Sequence, residues 1–364
     1  MNSFILLMFF VVQFQLFTCD ANNTSNLGIL PCMYAGDYDL YGYYCSKTPM
    51  AISSLPVACT SFIYDGINFD SKFNVLISEK DRNNIINLYK FGKPLYLYIG
   101  YANQSSWINV TKKSNYTALK VLDLKTHLNG YNVTGLILKD LNYDPSEDGN
   151  FDETFYENLK QYVTVLKRKS AFSEVGLYVN ATYMIYYSHH PNNPYWFKFD
   201  EWMNDLMDFY IIGFYKFNPC NDQFKDGIVP LYNTKFSNNS LTTFANVLKN
   251  STIAKDKIYL EFSACPTPND TTIEYLPTCA VTFEKFCTSD HYNVYWCADN
   301  SQSFFQKGRF ARDLPAKGIV TKYIDTIDPT AKCQCDNNNE YITFTMMLTG
   351  FLSQDPVRNC PLLS

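Results

Sequence analysis

Eight short runs rich in β-branched and aromatic residues recur along the chain, with helical patterns between them. The runs are Ile29–Tyr34, Cys59–Ile67, Pro94–Tyr101, Val133–Leu141, Val175–Tyr183, Asp208–Tyr215, Lys257–Ala264 and Gly318–Asp325. Two of them, P-L-Y-L-Y-I-G-Y and Y-I-I-G-F-Y, are almost unbroken apolar stretches. Such stretches suit parallel strands buried on both faces rather than half-exposed ones. Helical periodicity appears at Ser78–Phe91, Tyr116–Leu128, Phe151–Lys167, Phe199–Leu206 and Leu241–Leu248. Strand then helix, repeated about eight times, predicts an α/β fold, a (β/α)8 TIM barrel. An open doubly wound sheet is the competing topology, but no G-x-G-x-x-G follows any strand.

One interval is too long for a simple crossover. Between the seventh and eighth runs, Cys265–Ala316 holds Cys265, Cys279, Cys287 and Cys297 and shows few helical signals before Ser301. A disulfide-stapled, Cys-rich insertion between strands 7 and 8 is the expected account.

The first residues bear on compartment. Asn2–Phe17 is apolar but short and is followed by polar sequence. It reads as a signal peptide spanning 1–21, cleaved near Cys19 or Ala21, leaving 22–364 as the mature barrel. A retained anchor is the alternative. No later apolar run reaches spanning length, so the mature chain is expected to be soluble. Two features agree with a secretory route. Sequons stand at Asn22, Asn23, Asn103, Asn109, Asn115, Asn238, Asn250 and Asn269; those at Asn132 and Asn180 abut strands and are weaker candidates. Twelve cysteines, eleven after cleavage, imply disulfides with one thiol left over. Zinc at Cys333-Gln334-Cys335 would need a second cysteine pair or spaced histidines, and neither is present, so no metal and no cofactor is expected. Net charge is −5 with basic residues scattered, which argues against nucleic acid.

Ordered landmarks then resemble one family. Ala58–Tyr64 (A-C-T-S-F-I-Y) is similar to the second barrel strand of family-18 glycoside hydrolases, the chitinases, and Lys93–Tyr101 to their third. Asp208–Lys216 resembles their sixth, and Gly318–Asp328 their last. The fourth strand of that family carries D-G-x-D-x-D-x-E, ending in the glutamic acid that protonates the glycosidic oxygen. Here the segment reads T-G-L-I-L-K-D-L, which puts Thr134, Ile137, Lys139 and Leu141 at the four acidic positions. The resemblance implies further losses. Tyr215 keeps a sixth-strand tyrosine, its aspartate partner is Lys216, and the floor tryptophan falls at Lys322. Without a proton donor the family's substrate-assisted hydrolysis has no start.

Strand alternation puts Ile137, Lys139 and Leu141 on one face, and the register that the resemblance implies turns that face into the barrel. A buried ammonium needs a partner, and Asp65 or Glu261 would supply it. A one-residue slip would instead turn Asp140 inward. Aromatic candidates for a sugar surface are Trp107, Tyr195, Trp196, Trp202 and Tyr215, with Lys139 as a polar contact; ordinary packing competes for the tryptophans. Asp144, Glu147, Asp148, Asp152 and Glu153 follow the fourth strand, as a solvated loop or as relocated acids. His189 and His190 have no assignable nucleophile.

The expectation is a secreted chitinase-like glycoprotein that has lost its acids and acts by binding, as a lectin, signal or effector. Its partners would be chitin-type oligosaccharides or an extracellular protein. An active hydrolase with relocated carboxylates and a purely protein-binding glycoprotein are the alternatives.

Overall fold

The computed structural model describes residues 25–36, 50–101, 104–128, 130–141, 154–169, 172–189, 201–214, 217–220, 228–235, 237–268, 281–288, 296–336, 340–356 and 360–363. Residues 1–21, read above as a signal peptide, fall outside this set.

Eight parallel strands close into a barrel: β1 (Pro31–Tyr34), β2 (Ser61–Phe69), β3 (Leu95–Ile99), β4 (Gly135–Leu138), β5 (Glu174–Asn180), β6 (Phe209–Phe214), β7 (Ile258–Ser263) and β8 (Gly318–Lys322). Each pairs with its sequence neighbour, and β1 pairs with both β2 and β8, which shuts the sheet. The open-sheet alternative is thereby excluded. Every strand lies within, or within one to two residues of, its sequence-derived run.

Alternation divides the strand residues between two cores. Met33, Ile63, Tyr96, Ile137, Phe209, Ile211, Tyr259 and Val320 fill the barrel interior. The outward residues, such as Leu97, Leu136, Leu138 and Ile212, pack under the helices. Interior aromatics need space opposite them: a Cβ on Gly176 would sit 2.1 Å from the Phe209 ring. The floor is sealed from the N-terminal side. Ser25 Oγ, the Asn26 backbone N–H and Tyr96 Oη all donate to the Glu174 carboxylate, at 2.6, 2.9 and 2.7 Å.

The helices include α1 (Glu79–Tyr89), α2 (Gln104–Lys112), α3 (Ser114–Leu122), α4 (Phe155–Lys169), α5 (Ala181–Ser188), α6 (Leu241–Asn250), α7 (Ser301–Asp313) and α8 (Ile342–Phe351). Ser78 caps α1 and Ser240 caps α6, each accepting a first-turn N–H. The run Tyr116–Leu128 is not one helix. It breaks at Asp123 into α3 and the short turn Leu124–His127. Sequence patterning missed α2, α5 and α8. The A-T-Y-M-I-Y-Y-S of α5 looks like strand by composition, and the Asn180 side chain, by accepting from Thr182 N–H, turns it into helix.

The Cys-rich insertion follows β7 and carries a small antiparallel pair, Thr267–Pro268 with Trp296–Cys297, and the short helix Phe283–Thr288. Its disulfides reach outward: Cys220–Cys297 ties it to the chain after β6, and Cys287–Cys333 to the chain after β8. Cys32–Cys59 and Cys335–Cys360 complete four bridges among the described residues. Cys333 and Cys335 therefore belong to two different disulfides, which removes the zinc reading. Cys265 is a free thiol, and burial pushes its pKa up to about 12. Cys45 and Cys279 lie outside the described residues. Within the described residues no helix is long and apolar enough to cross a membrane.

Candidate functional site at the barrel mouth

In a (β/α)8 barrel the C-terminal strand ends carry the site, because the loops there converge on one opening. Two residues beyond the interior core, the inward register reaches Asp65 on β2, Tyr98 on β3, Lys139 after β4, Tyr178 on β5, Glu261 on β7 and Lys322 on β8. This layer is charged and aromatic where the layer below is apolar.

Its geometry is two linked ion pairs. Lys139 Nζ lies 2.5 Å from Asp65 Oδ1, and Tyr323 Oη donates to Asp65 Oδ2 at 2.8 Å. Lys322 Nζ lies 3.5 Å from Glu261 Oε1, and Tyr98 Oη donates to Glu261 Oε2 at 2.9 Å. Aromatic rings line the ammonium groups: Lys139 Nζ is 5.7 Å from the Tyr98 centroid, and Lys322 Nζ is 5.2 Å from Tyr323 and 5.9 Å from Tyr178. Tyr178 leans on Gly213, where a Cβ would sit 2.0 Å from its hydroxyl oxygen.

Burial and charge compete at each group. Burial works against the Asp65 carboxylate, but Lys139 and then Lys322 outweigh it and hold its pKa below the usual value. Burial also works against the Lys139 ammonium, yet Asp65 and Asp140 keep its pKa above ordinary. At Glu261 burial wins over Lys322 and the Tyr98 hydrogen bond, and the pKa is raised.

The fourth strand departs from simple alternation at its end. Asp140 adopts φ +60°, a left-handed conformation that breaks the pleat. Leu141 consequently does not share the face of Ile137 and Lys139. It is fully buried in the outer core that also holds Leu138 and Trp107. Asp140 instead lies at the rim, solvent-exposed, with Oδ2 close enough to Gly100 to meet a Cβ there at 2.6 Å. Desolvation against the mouth raises the Asp140 pKa; Lys139 pulls it down without reversing the shift, and Asp65 adds to it.

The remaining candidates separate. Thr134 sits at the start of β4, where its hydroxyl oxygen accepts the Leu95 N–H at 3.1 Å, and Ile137 is part of the interior core. Lys139 is at the mouth, and of its two foreseen partners it takes Asp65 while Glu261 takes Lys322. Trp107 is fully buried on α2, stacked edge-on against Tyr101 and Tyr162, and its indole N–H donates to the Lys139 carbonyl at 2.8 Å. It positions the mouth from behind and offers no ring face to a ligand. Trp202 is partly buried, with Lys160 Nζ 4.5 Å from its ring. Tyr195, Trp196, Tyr215, Lys216, His190 and the acidic residues Asp144, Glu147, Asp148, Asp152 and Glu153 lie outside the described residues. Tyr98, Tyr178 and Tyr323 were not singled out from sequence. Period-two alternation from Tyr96 to Tyr98 on β3 was the available signal for the first.

No protein-family model and no curated protein matches the sequence. Solved structures do. Catalytic domain 2 of the Group II chitinase of Ostrinia furnacalis superposes with TM-score 0.68 at 12% identity, covering 93% of this chain and 100% of that one. A Glu→Leu mutant of that domain, in complex with an (NAG)5 oligosaccharide, gives TM-score 0.69 at 13% identity over 93% and 100% of the two chains. The protein YKL-39, solved in the presence of chitooligosaccharides (GlcNAc4), gives 0.62 at 13% over 89% and 99%. The chain therefore has the fold of these chitinases and chitinase-like proteins over 89–93% of its length.

Proposed function

We propose that this chain is a secreted chitinase-like glycoprotein that acts by binding and does not hydrolyse glycosides. The observation that carries the reading is the occupied mouth. Where a proton donor and its supporting carboxyls would face a sugar, Lys139 and Lys322 are held on Asp65 and Glu261, and Leu141 is buried behind them. A general acid is worth about 10²–10⁴ in rate, and the residue matched to that role has no proton to give. Binding has more support than turnover. Tyr178 and Tyr323 are half-buried rings at the opening, and structural neighbours were solved with chito-oligosaccharides. Four disulfides agree with an oxidising, extracellular destination.

The test is hydrolysis and calorimetric binding of N-acetylglucosamine oligomers with one purified sample. Binding heat without reducing-end release is the expected result; turnover at high enzyme concentration sinks the reading. No heat at all, together with capture of an extracellular protein, favours the purely protein-binding alternative.

A second reading has one observation in its favour. Asp140 is a rim residue whose carboxyl is partly withdrawn from water against Gly100, and that desolvation raises its pKa, the arrangement a relocated general acid requires. Under it, any turnover is abolished by Asp140→Asn while oligosaccharide binding survives.

A further inference from the structure

Six of the N-x-Ser/Thr triplets fall on described residues, and folding treats them differently. N-linked glycosylation joins the Asn Nδ2 to the anomeric carbon of a lipid-linked oligosaccharide pyrophosphate. The N–C bond forms, the bond from that carbon to the pyrophosphate oxygen breaks, the lipid pyrophosphate leaves, and an amide proton passes to a base. The transferring enzyme needs the asparagine amide and the hydroxyl two residues on, together.

At three sites the asparagine is exposed and the hydroxyl is shut away. Asn109 and Asn115 lie inside α2 and α3, with exposed side chains. Their partners Thr111 and Thr117 are 1% and 0% exposed, and they donate to Ile108 O at 3.2 Å and Val110 O at 2.9 Å. Asn238 is exposed, but Ser240 is fully buried as the cap of α6, donating to Asn233 Oδ1 at 2.5 Å and accepting the Thr243 N–H at 3.1 Å. Two further triplets are closed by the barrel. The Asn180 amide oxygen caps α5, and Thr134 of the Asn132 triplet is fixed between β3 and β4.

Asn250 is different. It is the last residue of α6, and Ser251 after it is extended at ψ 148°. Both Asn250 and Thr252 are exposed. The triplet leaves the helix at Ser251, with the acceptor asparagine and the hydroxyl residue both exposed to water.

We infer that Asn250 remains an N-glycan acceptor in the folded protein, whereas Asn109, Asn115 and Asn238 accept a glycan only before their segments fold. Once folded, those three become available only through local unfolding. The four disulfides place the chain where such chemistry occurs, and nothing in this inference depends on whether the mouth binds sugar.

The experiment starts from unglycosylated, oxidatively folded protein, incubated with an oligosaccharyltransferase and a lipid-pyrophosphate oligosaccharide. Occupancy is read by peptide mapping. The expected result is at least an order of magnitude more occupancy at Asn250 than at the other three, all four being filled when the chain is reduced and unfolded first. Thr252→Ala, an exposed change, removes the signal at Asn250 and leaves the fold intact. Comparable filling of Asn109, Asn115 or Asn238 in the folded protein overturns the inference. So does an empty Asn250 in the folded protein, or failure of the other three in the unfolded chain.

Discussion

Lys139 and Asp65 illustrate how one side chain can be tolerated only because another is present. Asp65 is nearly buried, and its charge is balanced by Lys139 and a Tyr323 hydroxyl. Lys139→Met leaves that carboxylate without its nearest cation, which should cost about 2–4 kcal/mol, the lower part of the range because Lys139 retains some contact with water. Lys139→Met combined with Asp65→Asn should recover more than half of the loss. Urea unfolding of the two single variants and the double one measures the coupling; additive losses would show that the pair does not act as a unit. The depressed Asp65 pKa means its contribution is present above the unfolded value near 4 and is lost as pH falls through the lower folded one. Asp325 behaves in the opposite sense. It is buried beside Tyr34 after β8, accepts the Ala35 N–H at 3.3 Å through Oδ1, and its Oδ2 has no partner among the described residues. Burial raises its pKa to about 7. Between the unfolded value and 7 the folded state holds the extra proton, so this group makes stability decline as pH rises through that window and level off above it. Asp325→Asn should flatten that decline in melting temperature measured from pH 4 to 8; an unchanged slope would assign the pH dependence elsewhere.

The α7–α8 contact turns on two glycines. A Cβ on Gly308 would lie 2.1 Å from Met347 O, and one on Gly350 would lie 2.2 Å from Phe305 O. Both obstacles are backbone, so no rotamer change relieves them and the helices must separate. Gly308→Ala and Gly350→Ala should each destabilise by about 1–3 kcal/mol, toward the upper end. Their effects should be less than additive, since one separation relieves both; thermal unfolding of the double variant decides it. This contact was not legible in the sequence, because I-T-F-T-M-M-L-T-G-F has no amphipathic period and nothing local marks its partner. The strands were legible for a stated reason: burial on both faces forces apolar runs that few other elements share. The mouth was legible in part. Alternation in the register of the resemblance turned Lys139 inward with Asp65 and Glu261 as its two candidate partners, and the pleat persists far enough for the first to hold. It failed one residue later, where Asp140 enters the left-handed region and sends Leu141 outward. A non-glycine residue there carries no sequence signal comparable to a glycine's.

At the scale of the whole molecule the barrel is closed twice, by the β1–β8 ladder and by disulfides that bridge distant segments. The Cys220–Cys297 bridge spans 77 residues and joins the chain after β6 to the insertion after β7; Cys335–Cys360 spans 25 and staples the C-terminal segment to itself. If a bridge acts mainly by restricting the unfolded chain, the longer loop should contribute about 4.5 kcal/mol and the shorter about 3.5 kcal/mol. The packing argument points the same way. Cys220 and Cys297 are both fully buried, and losing their bond removes one of the two covalent ties on the insertion, while Cys335 and Cys360 lie nearer the surface. Replacing Cys220 and Cys297 together by serine should therefore lower stability more than replacing Cys335 and Cys360, with a difference of about 1 kcal/mol or greater. Denaturant midpoints of the two paired variants give the comparison. Native-state hydrogen exchange adds the discriminating reading: loss of the long bridge should raise exchange at Trp296–Cys297, while Phe283–Thr288, still tied through Cys287–Cys333, and β3 and β4 stay protected. Equal midpoints with unchanged exchange at Trp296–Cys297 would mean that the insertion is held by its packing and its remaining bridge, and that Cys220–Cys297 adds nothing to it.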